Sequence, residues 1–475
     1  MTEPDAGPRG QTSDLFGRGM IYVVIWSMQM VVATVVSPVL AHTLPVPAFG
    51  ALAAAIALYQ LLITVTVFGL DQALEMQRVE DPDATRARGL LGAGLLLALV
   101  VTGAVALASP WWGPQLGFSS SALVLITLGW TAPGAGVLLV LSLLQAEDRL
   151  GRFATVSLIS TVGSQVIGIG LLFVWERTAE VYALGGVAGQ VTALVLGLVW
   201  TRPRLAGVLD TATLRRALQL GVPLVLTGLS TFLLSAGDRF VIQRLLGAEQ
   251  VARYQVAFTV GNVVTLMLTF TNRAWLPRLK SVVDEAERWR VVTASRDGVY
   301  ALVSWAVLGI TVAAPALLRV FAPASYGQED LVSVVAVVGL AAFPVAAAAA
   351  SGQMLVTMRW SAPLAWASVA AVVVKLVLTF LLITRFGLDG VAVATFGALL
   401  AQAAVLRLAV SRRHAPRGTS RQTLLVILLS VAGCVASVLA PQTLAWNIGR
   451  FALACLCLIP FFLALRRLQR EEPGS

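Results

Sequence analysis

Charge is what this sequence has least of. Asp, Glu, Lys and Arg make up 12% of the 475 residues, and 58% of the residues are hydrophobic. In soluble globular domains about a quarter of the residues are charged. The low charge and a mean hydropathy of +0.84 exclude an ordinary soluble domain. They indicate a protein that lies mostly in lipid.

Histidine and cysteine are also rare in this sequence, and a nucleotide-binding motif is absent from it. The chain has two histidines and three cysteines, and their spacing is not that of a metal site. No Gly-x-x-x-x-Gly-Lys-Ser/Thr motif is present, so the chain lacks the loop that cradles nucleotide phosphates. We attribute the net charge of +10 to Arg-rich cytoplasmic loops and not to nucleic acid. We therefore expect no metal, no cofactor, no nucleic-acid partner and no enzymatic activity.

Long stretches without a charged side chain dominate the sequence. The two longest, 19–70 and 89–146, are each long enough for two membrane helices, which need about 20 apolar residues apiece. The pattern predicts an all-α polytopic membrane protein with about 14 transmembrane helices. The predicted spans cover residues 20–43, 48–70, 89–109, 120–145, 153–175, 181–201, 218–241, 251–275, 298–320, 331–356, 362–384, 388–410, 422–440 and 446–465.

Basic residues are distributed unevenly between these predicted spans. If the N-terminus faces the cytoplasm, most of the 34 Lys and Arg residues fall in cytoplasmic segments such as 273–296 and 412–421. Cytoplasmic loops of membrane proteins carry an excess of Lys and Arg. Both ends of the chain are therefore predicted to face the cytoplasm.

Two pairs of similar segments indicate an internal repeat. Residues 44–52 align with residues 246–254, and residues 182–188 align with residues 386–392 at nearly the same offset. Parallel repeats of this kind form the two halves of several transporter folds, with a cavity that opens alternately to each side. The predicted regions are an N-lobe of six spans (1–205), a C-lobe of six spans (206–415) and a final region (416–475) with two spans and a cytoplasmic tail.

The segment from Asp238 to Tyr254 begins with Asp-Arg and contains a Leu246-Gly247 turn. It resembles the start of the second lobe in Wzx-type polysaccharide flippases of the MOP exporter superfamily. The segment from Leu44 to Gly50 is similar to the first-lobe counterpart, although Pro45-Val-Pro replaces the commoner Leu-Gly turn. The predicted number of spans, their topology and the internal repeat are also similar to those of this family, so the resemblance covers essentially the whole chain.

The resemblance implies a secondary-active flippase. Such a protein moves undecaprenyl-diphosphate-linked oligosaccharide, a polysaccharide repeat unit, from the inner to the outer leaflet by alternating access. The implied location is the bacterial cytoplasmic membrane. The implied partners are the lipid-linked oligosaccharide, membrane lipids and a polysaccharide polymerase or synthesis complex.

Two alternatives stay open. One is a multidrug or small-molecule exporter of the same superfamily, which usually carries an acidic residue in its first spans; residues 19–70 contain none. The other is a non-transporting scaffold of a polysaccharide synthesis complex, which would tolerate the loss of buried charges.

Two arginines, Arg18 and Arg216, lie just before the predicted first and seventh spans. Their repeat-related positions make them candidates to bind a diphosphate that enters from the cytoplasm, since Arg binds phosphate through bidentate contacts. The alternative is that they only anchor the helix ends at the membrane surface.

Asp238 and Arg239 are adjacent at the predicted outer end of span seven. Neighbouring side chains on a helix point about 100° apart, so one is expected to pair with another helix while the other faces the cavity. The functional interpretation makes Arg239 a diphosphate ligand and Asp238 part of a coupling or gating pair. The structural alternative is an ion pair between Asp238 and Arg253.

Lys375 is the only charge between Pro363 and Thr384. A lone cation at membrane depth must face a cavity, pair with an acid or lose its proton. We predict a substrate-phosphate or ion-coupling role, with a buried pair to Asp238 or to a carbonyl as the alternative. Related flippases can use a sodium site in the second lobe, and a lysine there would replace the ion, which favours proton coupling.

Asn262, in predicted span eight, is a candidate sugar ligand.

Overall fold

The computed structural model describes residues 28, 31–81, 84–204, 210–269, 284–412 and 418–470. Throughout these ranges the regular elements are helices, and no β-strand occurs in them. They contain 11 helices long and apolar enough to cross a membrane, or 12 if one bent pair of helices counts as a span. The predicted all-α polytopic membrane fold is confirmed. Arg18 lies outside the described residues.

The chain forms two compact units, Met1–Leu229 and Ser230–Ser475. The helices of the first unit are α1 (Val31–Thr43), α2 (Val46–Val67), α3 (Leu70–Glu80), α4 (Ala84–Gln115), α5 (Ser121–Ala146), α6 (Leu150–Val174), α7 (Ala179–Thr201) and most of α8 (Thr211–Ser235), which crosses the unit boundary.

The second unit continues from the end of α8. Its helices are α9 (Asp238–Leu245), α10 (Ala248–Gly261), α11 (Val263–Thr269), α12 (Glu285–Phe321), α13 (Val332–Leu340), α14 (Ala342–Thr357), α15 (Ala362–Ser411), α16 (Arg421–Leu439) and α17 (Leu444–Arg470). The predicted lobe boundaries at 205 and 415 stay a prediction.

Helix α15 is a hairpin of two spans. Its 50 residues would extend about 75 Å as one helix, far more than the roughly 30 Å of a bilayer core. Gly387 interrupts it with φ 54° and ψ −127°, a backbone conformation that glycine adopts without steric cost. A Cβ placed on Gly390 would lie 2.5 Å from the Leu382 carbonyl oxygen, so the two halves pack closely against each other. The predicted break between spans eleven and twelve therefore occurs at Gly387.

Small residues allow the helices of the first unit to approach closely. Where α6 crosses α7, a Cβ on Gly185 would lie 2.2 Å from the Gly168 Cα, and one on Gly189 would lie 2.6 Å from the Ser164 Cα. Between membrane helices such contacts replace the hydrophobic effect as a source of stability, because lipid tails are as apolar as the side chains.

A second close approach joins α2 and α8. Helix α2 ends in a turn at Phe68 and Gly69, whose φ angles are 52° and 67°. Helix α8 passes this turn at Gly221, where a Cβ would lie 2.1 Å from the Phe68 carbonyl oxygen. Backbone meets backbone here, so there is no side chain that could move aside.

We expect Gly221→Ala to destabilise the protein, because its methyl group would overlap the Phe68 carbonyl. Overpacking of this kind costs about 1–3 kcal/mol, and thermal unfolding in detergent measures it. Gly129→Ala is the matched control, since a Cβ at Gly129 meets no atom within 4 Å. Equal melting temperatures for the two variants would contradict the close packing of α2 and α8.

Candidate functional site

The candidate site begins where α8 ends. The Phe232 carbonyl accepts hydrogen bonds from both the Ala236 and Gly237 amides, at 2.8 and 3.1 Å, and the chain turns before α9 starts at Asp238. The predicted seventh span, 218–241, is therefore wrong at its outer end, since α8 stops at Ser235. The sequence shows little sign of this break, because Ala236 and Gly237 also fit inside a membrane helix.

Asp238 and Lys375 form a buried ion pair. The Lys375 Nζ lies 3.0 Å from both carboxylate oxygens of Asp238. Side-chain exposure is 4% for Lys375 and 1% for Asp238. Lys375 also donates to the Leu234 carbonyl at 2.5 Å, a group that the end of α8 leaves available.

Hydroxyl groups complete the surroundings of the Asp238 carboxylate. The Tyr254 hydroxyl on α10 donates to Oδ2 at 3.0 Å, and the Thr395 hydroxyl on the second half of α15 lies 3.3 Å from the same atom. Thr395 also lies 3.1 Å from the Val391 carbonyl, so its single hydrogen can serve one acceptor at a time. Both halves of the α15 hairpin thus meet at one carboxylate.

Two features of the surroundings compensate the charge of the Asp238 carboxylate. It is the first residue of α9, and the N-terminus of a helix stabilises negative charge. The ammonium of Lys375 compensates the carboxylate directly. Taking two charges out of water still costs several kcal/mol per ion, so a buried pair is weak evidence of a purely stabilising role.

Arg239 is not part of the ion pair and makes its own contacts beside it. Its Nε and Nη2 donate to the Gln255 side-chain oxygen at 3.2 and 3.0 Å, and its Nη1 donates to the Ser235 carbonyl at 2.7 Å. The guanidinium carbon lies 4.3 Å from the ring centroid of Phe258, a cation–π contact. These contacts are all with neutral groups. With the three groups ionised, Asp238, Lys375 and Arg239 together carry a net positive charge.

The alternative pairing of Asp238 with Arg253 is wrong. Arg253 instead contacts Asp330 at 2.9 Å and donates to the Tyr326 carbonyl at 2.9 Å. It therefore ties α10 to the segment before α13. Arg253 is thus engaged with a largely exposed carboxylate, whereas Asp238 is buried with Lys375.

The other predicted ligands lie apart from this pair. Arg216 is exposed near the start of α8, and its Nε contacts the Ala212 carbonyl at 3.4 Å. Asn262 is half-buried and lies where α10 and α11 bend by 51°. Lys375 has little exposure, so contact with a substrate phosphate would require the ion pair to open.

Sequence reasoning did not assign Tyr254, Thr395, Gln255 and Phe258 to the site. Tyr254, Gln255 and Phe258 occupy adjacent positions on α10, at spacings of one, three and four residues. This is the spacing of one helix face, but such a pattern also occurs in ordinary cores. Thr395 lies 157 residues from Asp238, and only the hairpin at Gly387 brings it close.

Comparisons with known proteins agree with this architecture. Residues 17–283, more than half of the chain, match the family described as polysaccharide biosynthesis protein. No curated protein matches the chain in sequence.

Solved structures of low sequence identity share the fold. The lipid II flippase MurJ in an inward closed conformation is 10% identical, with a TM-score of 0.68 over 94% of this chain and 99% of that chain. An inward-facing multidrug resistance MATE family transporter of the MOP superfamily is 15% identical, with a TM-score of 0.64 over 81% of this chain and 94% of that one. Its outward-facing counterpart is 14% identical, with a TM-score of 0.53 over 82% and 94%.

The family match confirms the resemblance that the segment from Asp238 to Tyr254 suggested. The protein is therefore a multi-pass membrane member of the polysaccharide biosynthesis protein family, with the helical fold of the MOP superfamily.

Proposed function

We propose that this protein is a secondary-active flippase. Its substrate is an undecaprenyl-diphosphate-linked oligosaccharide, which it moves from the inner to the outer leaflet of the bacterial cytoplasmic membrane. Membership of a polysaccharide biosynthesis family and a fold shared with a lipid II flippase support this substrate class. The observation that carries the proposal is the Asp238–Lys375 pair, which is buried between helices that cross the membrane.

A buried ion pair suits a protein that changes conformation. Well-packed apolar residues often replace such pairs at no loss of stability, and ionisable residues at membrane depth mark transport pathways and proton relays. Here the pair joins the broken end of α8 to the α15 hairpin. Its opening would free both elements at once.

Protonation of Asp238 is the proposed coupling event. A neutral Asp238 no longer attracts Lys375, and the Lys375 ammonium keeps only the Leu234 carbonyl among the contacts described above. Arg239 then adds a second positive charge beside it. A diphosphate that arrives at this stage neutralises both cations, and loss of the proton afterwards restores the ion pair and expels the substrate.

Arg239 is the proposed diphosphate ligand of this unit. A guanidinium has five N–H donors, and the three nitrogens of Arg239 contact only neutral acceptors. Arg216 is exposed and is proposed to meet the substrate at the cytoplasmic rim together with Arg18. Asn262, at the bend between α10 and α11, is the proposed sugar ligand.

The proposed orientation places both termini in the cytoplasm, because the basic residues accumulate on that side. The oligosaccharide then enters from the side where its lipid carrier is loaded. A polymerase or synthesis complex on the other side would receive it. The chain itself supplies no catalytic step in this scheme.

We expect reconstituted protein to deliver a fluorescent undecaprenyl-diphosphate oligosaccharide to the opposite leaflet of proteoliposomes. Lys375→Ala should lower the facilitated rate at least tenfold, since a single unpaired buried charge costs several kcal/mol. Arg385→Ala is the matched control, because Arg385 is an exposed cation on the same helix. An imposed proton gradient should accelerate wild-type transport, and a sodium gradient should not.

The outcomes separate the function from the site. If Lys375→Ala transports as well as wild type, the flippase function stands and the ion pair is structural. If folded wild-type protein moves no substrate under any gradient, the flippase proposal is wrong. Drug export or a scaffold role would then become the better explanation.

A double-mutant cycle tests whether the pair matters beyond stability. Asp238→Asn and Lys375→Met should each lower the free energy of unfolding by about 3–5 kcal/mol, because each leaves one charge unpaired. The double variant should recover most of that loss yet remain inactive in transport. A double variant that is both stable and active would contradict a coupling role for the pair.

The ammonium of Lys375 occupies a position with oxygen atoms around it. The substitution Lys375→Asn removes the ammonium. The oxygen atoms of the Leu234 carbonyl, the Asp238 carboxylate and the Thr395 hydroxyl then remain around the position that it occupied. The buried hydroxyl of Thr379, one turn further along, has no hydrogen-bond partner among the described residues. Oxygen atoms are the ligands that hard cations prefer.

We therefore expect Lys375→Asn to acquire a sodium-dependent melting temperature. Thermal unfolding in sodium chloride and in N-methylglucamine chloride at equal ionic strength measures this. Lys375→Met is the control, since it removes the same charge without adding an oxygen ligand. Identical melting temperatures of Lys375→Asn in the two salts would show that the lysine does not stand in for an ion.

A further inference from the structure

A separate cavity lies at one end of the first unit. Its volume is about 210 Å³, and its walls come from the first turns of α4, the first turns of α8 and the segment after α7. All three walls lie on the same membrane face, because α4 and α8 begin there and α7 ends there. This is the side that the distribution of basic residues assigns to the cytoplasm. The lining residues are Thr85, Arg86, Gly89, Leu90, Arg204, Asp210, Thr213 and Leu214.

The rim of this cavity carries two arginines. Arg204 contacts the Thr85 hydroxyl at 3.4 Å, and the described residues place no carboxylate within ion-pair distance of it. Arg86 lies 3.2 Å from Asp81, and its side chain is 59% exposed. Both guanidinium groups therefore keep free N–H donors at the mouth of the cavity.

Asp210 is the acidic residue of the rim, and it is already engaged. Its Oδ1 accepts a hydrogen bond from the Thr213 amide at 3.1 Å, which caps the start of α8. Hydrogen bonds from the Thr213 hydroxyl and amide lower the pKa of Asp210, with smaller contributions from Arg86 and Arg216. Arg216 also acts on Asp210, so the three arginines near the rim outnumber the carboxylates of Asp210 and Asp81.

The floor of the cavity is apolar. Leu90 is buried in the core of the first unit, and Leu214 packs against that core. Gly89 leaves the space above them open. A ligand that fits must therefore carry an anionic group at the rim and apolar atoms below it.

A neighbouring ionic cluster holds the wall of the cavity in place. Arg88 accepts a hydrogen bond from the Arg204 amide at 3.0 Å through its carbonyl, and its guanidinium lies 3.9 Å from Glu147. Glu147 is 4% exposed and also meets Arg149 at 2.9 Å and Arg78 at 3.7 Å. These three arginines are engaged with Glu147, whereas Arg86 and Arg204 face the cavity.

We propose that this cavity binds the phosphate headgroup of a membrane lipid from the cytoplasmic leaflet. Basic pockets between membrane helices on the cytoplasmic side bind anionic headgroups in other proteins. The cavity is smaller than the roughly 300 Å³ at which pockets for drug-sized ligands begin. It holds the phosphate and the adjoining glycerol or prenyl carbon atoms, and the lipid tail lies outside it. The phospholipid alternative is independent of the transport activity proposed above, whereas the prenyl diphosphate alternative rests on it.

Two lipids offer this chemistry, an anionic phospholipid and the prenyl diphosphate itself. Titration of the full-length protein in neutral detergent with dioctanoyl phosphatidylglycerol or with undecaprenyl diphosphate, followed by native mass spectrometry, distinguishes them. Tighter binding of the first identifies a structural lipid site, and tighter binding of the second identifies a docking site for the substrate carrier. Dioctanoylglycerol, which lacks the phosphate, is the negative control.

The variant Arg86→Ala/Arg204→Ala should bind the preferred lipid at least tenfold more weakly than wild type, because each basic residue near the surface contributes about 1 kcal/mol to such binding. The matched control is Arg215→Ala/Arg412→Ala, which removes two exposed arginines outside the cavity. A change to Arg86→Lys/Arg204→Lys keeps the charges and covers the case in which the alanine variant does not fold. It should retain part of the affinity.

If Arg86→Ala/Arg204→Ala and Arg215→Ala/Arg412→Ala bind the lipid with equal affinity, the proposal is overturned. Binding would then depend on the overall charge of the surface and not on the cavity. Binding of dioctanoylglycerol as tight as that of the phosphate lipids would also overturn it. Melting temperatures of all variants check that a loss of affinity is not a loss of fold.

Discussion

One buried acid and one buried base of the second unit, Asp238 and Lys375, meet each other, and much of the arrangement around them depends on that contact. Asp238 and Lys375 come from different helices, and their atoms lie 3.0 Å apart. The contact requires α8 to end at Ser235, so that the Leu234 carbonyl is available to Lys375. It also requires α15 to reverse at Gly387, which brings Thr395 to the same carboxylate. Helix break, hairpin and ion pair therefore depend on one another.

The same pair connects stability to the proposed transport. Burying a pair of charges often costs more than burying well-packed apolar residues of similar size, and the role proposed for this pair in transport would account for its presence. Arg239 lies next to it in a cage of Phe258, Tyr254 and Gln255 and adds a positive charge. The cluster keeps a net positive charge even while Asp238 is ionised, and a bound anion would balance it, which suits the proposed substrate with its diphosphate.

The ionic cluster of the first unit works in a different setting. Glu147 meets three arginines at the ends of helices and not in their middle. It fixes α3, α4 and the α5–α6 turn to one another, so the arginines in contact with it are not available to a ligand. Arg86 and Arg204 remain at the adjoining cavity, where the membrane surface supplies phosphate groups. The Asp238–Lys375 pair is thus proposed to open during transport, whereas the Glu147 cluster holds helices together.

The sequence by itself determined the class of protein, the break at residue 387 and the family resemblance, and it indicated that Lys375 needs a buried partner. These features are local: hydropathy follows from runs of side chains, a Phe386-Gly387 turn breaks a helix, and a lone lysine among apolar residues needs a partner wherever it packs. The tertiary structure decided which partner that is. Asp238 lies 137 residues from Lys375 in the sequence. Arg253 is closer to Asp238 in the sequence but contacts Asp330 instead. The end of α8, the hydroxyls of Tyr254 and Thr395 and the cavity beside Arg204 likewise depend on how helices rotate and pack against each other, which hydropathy along one helix does not encode.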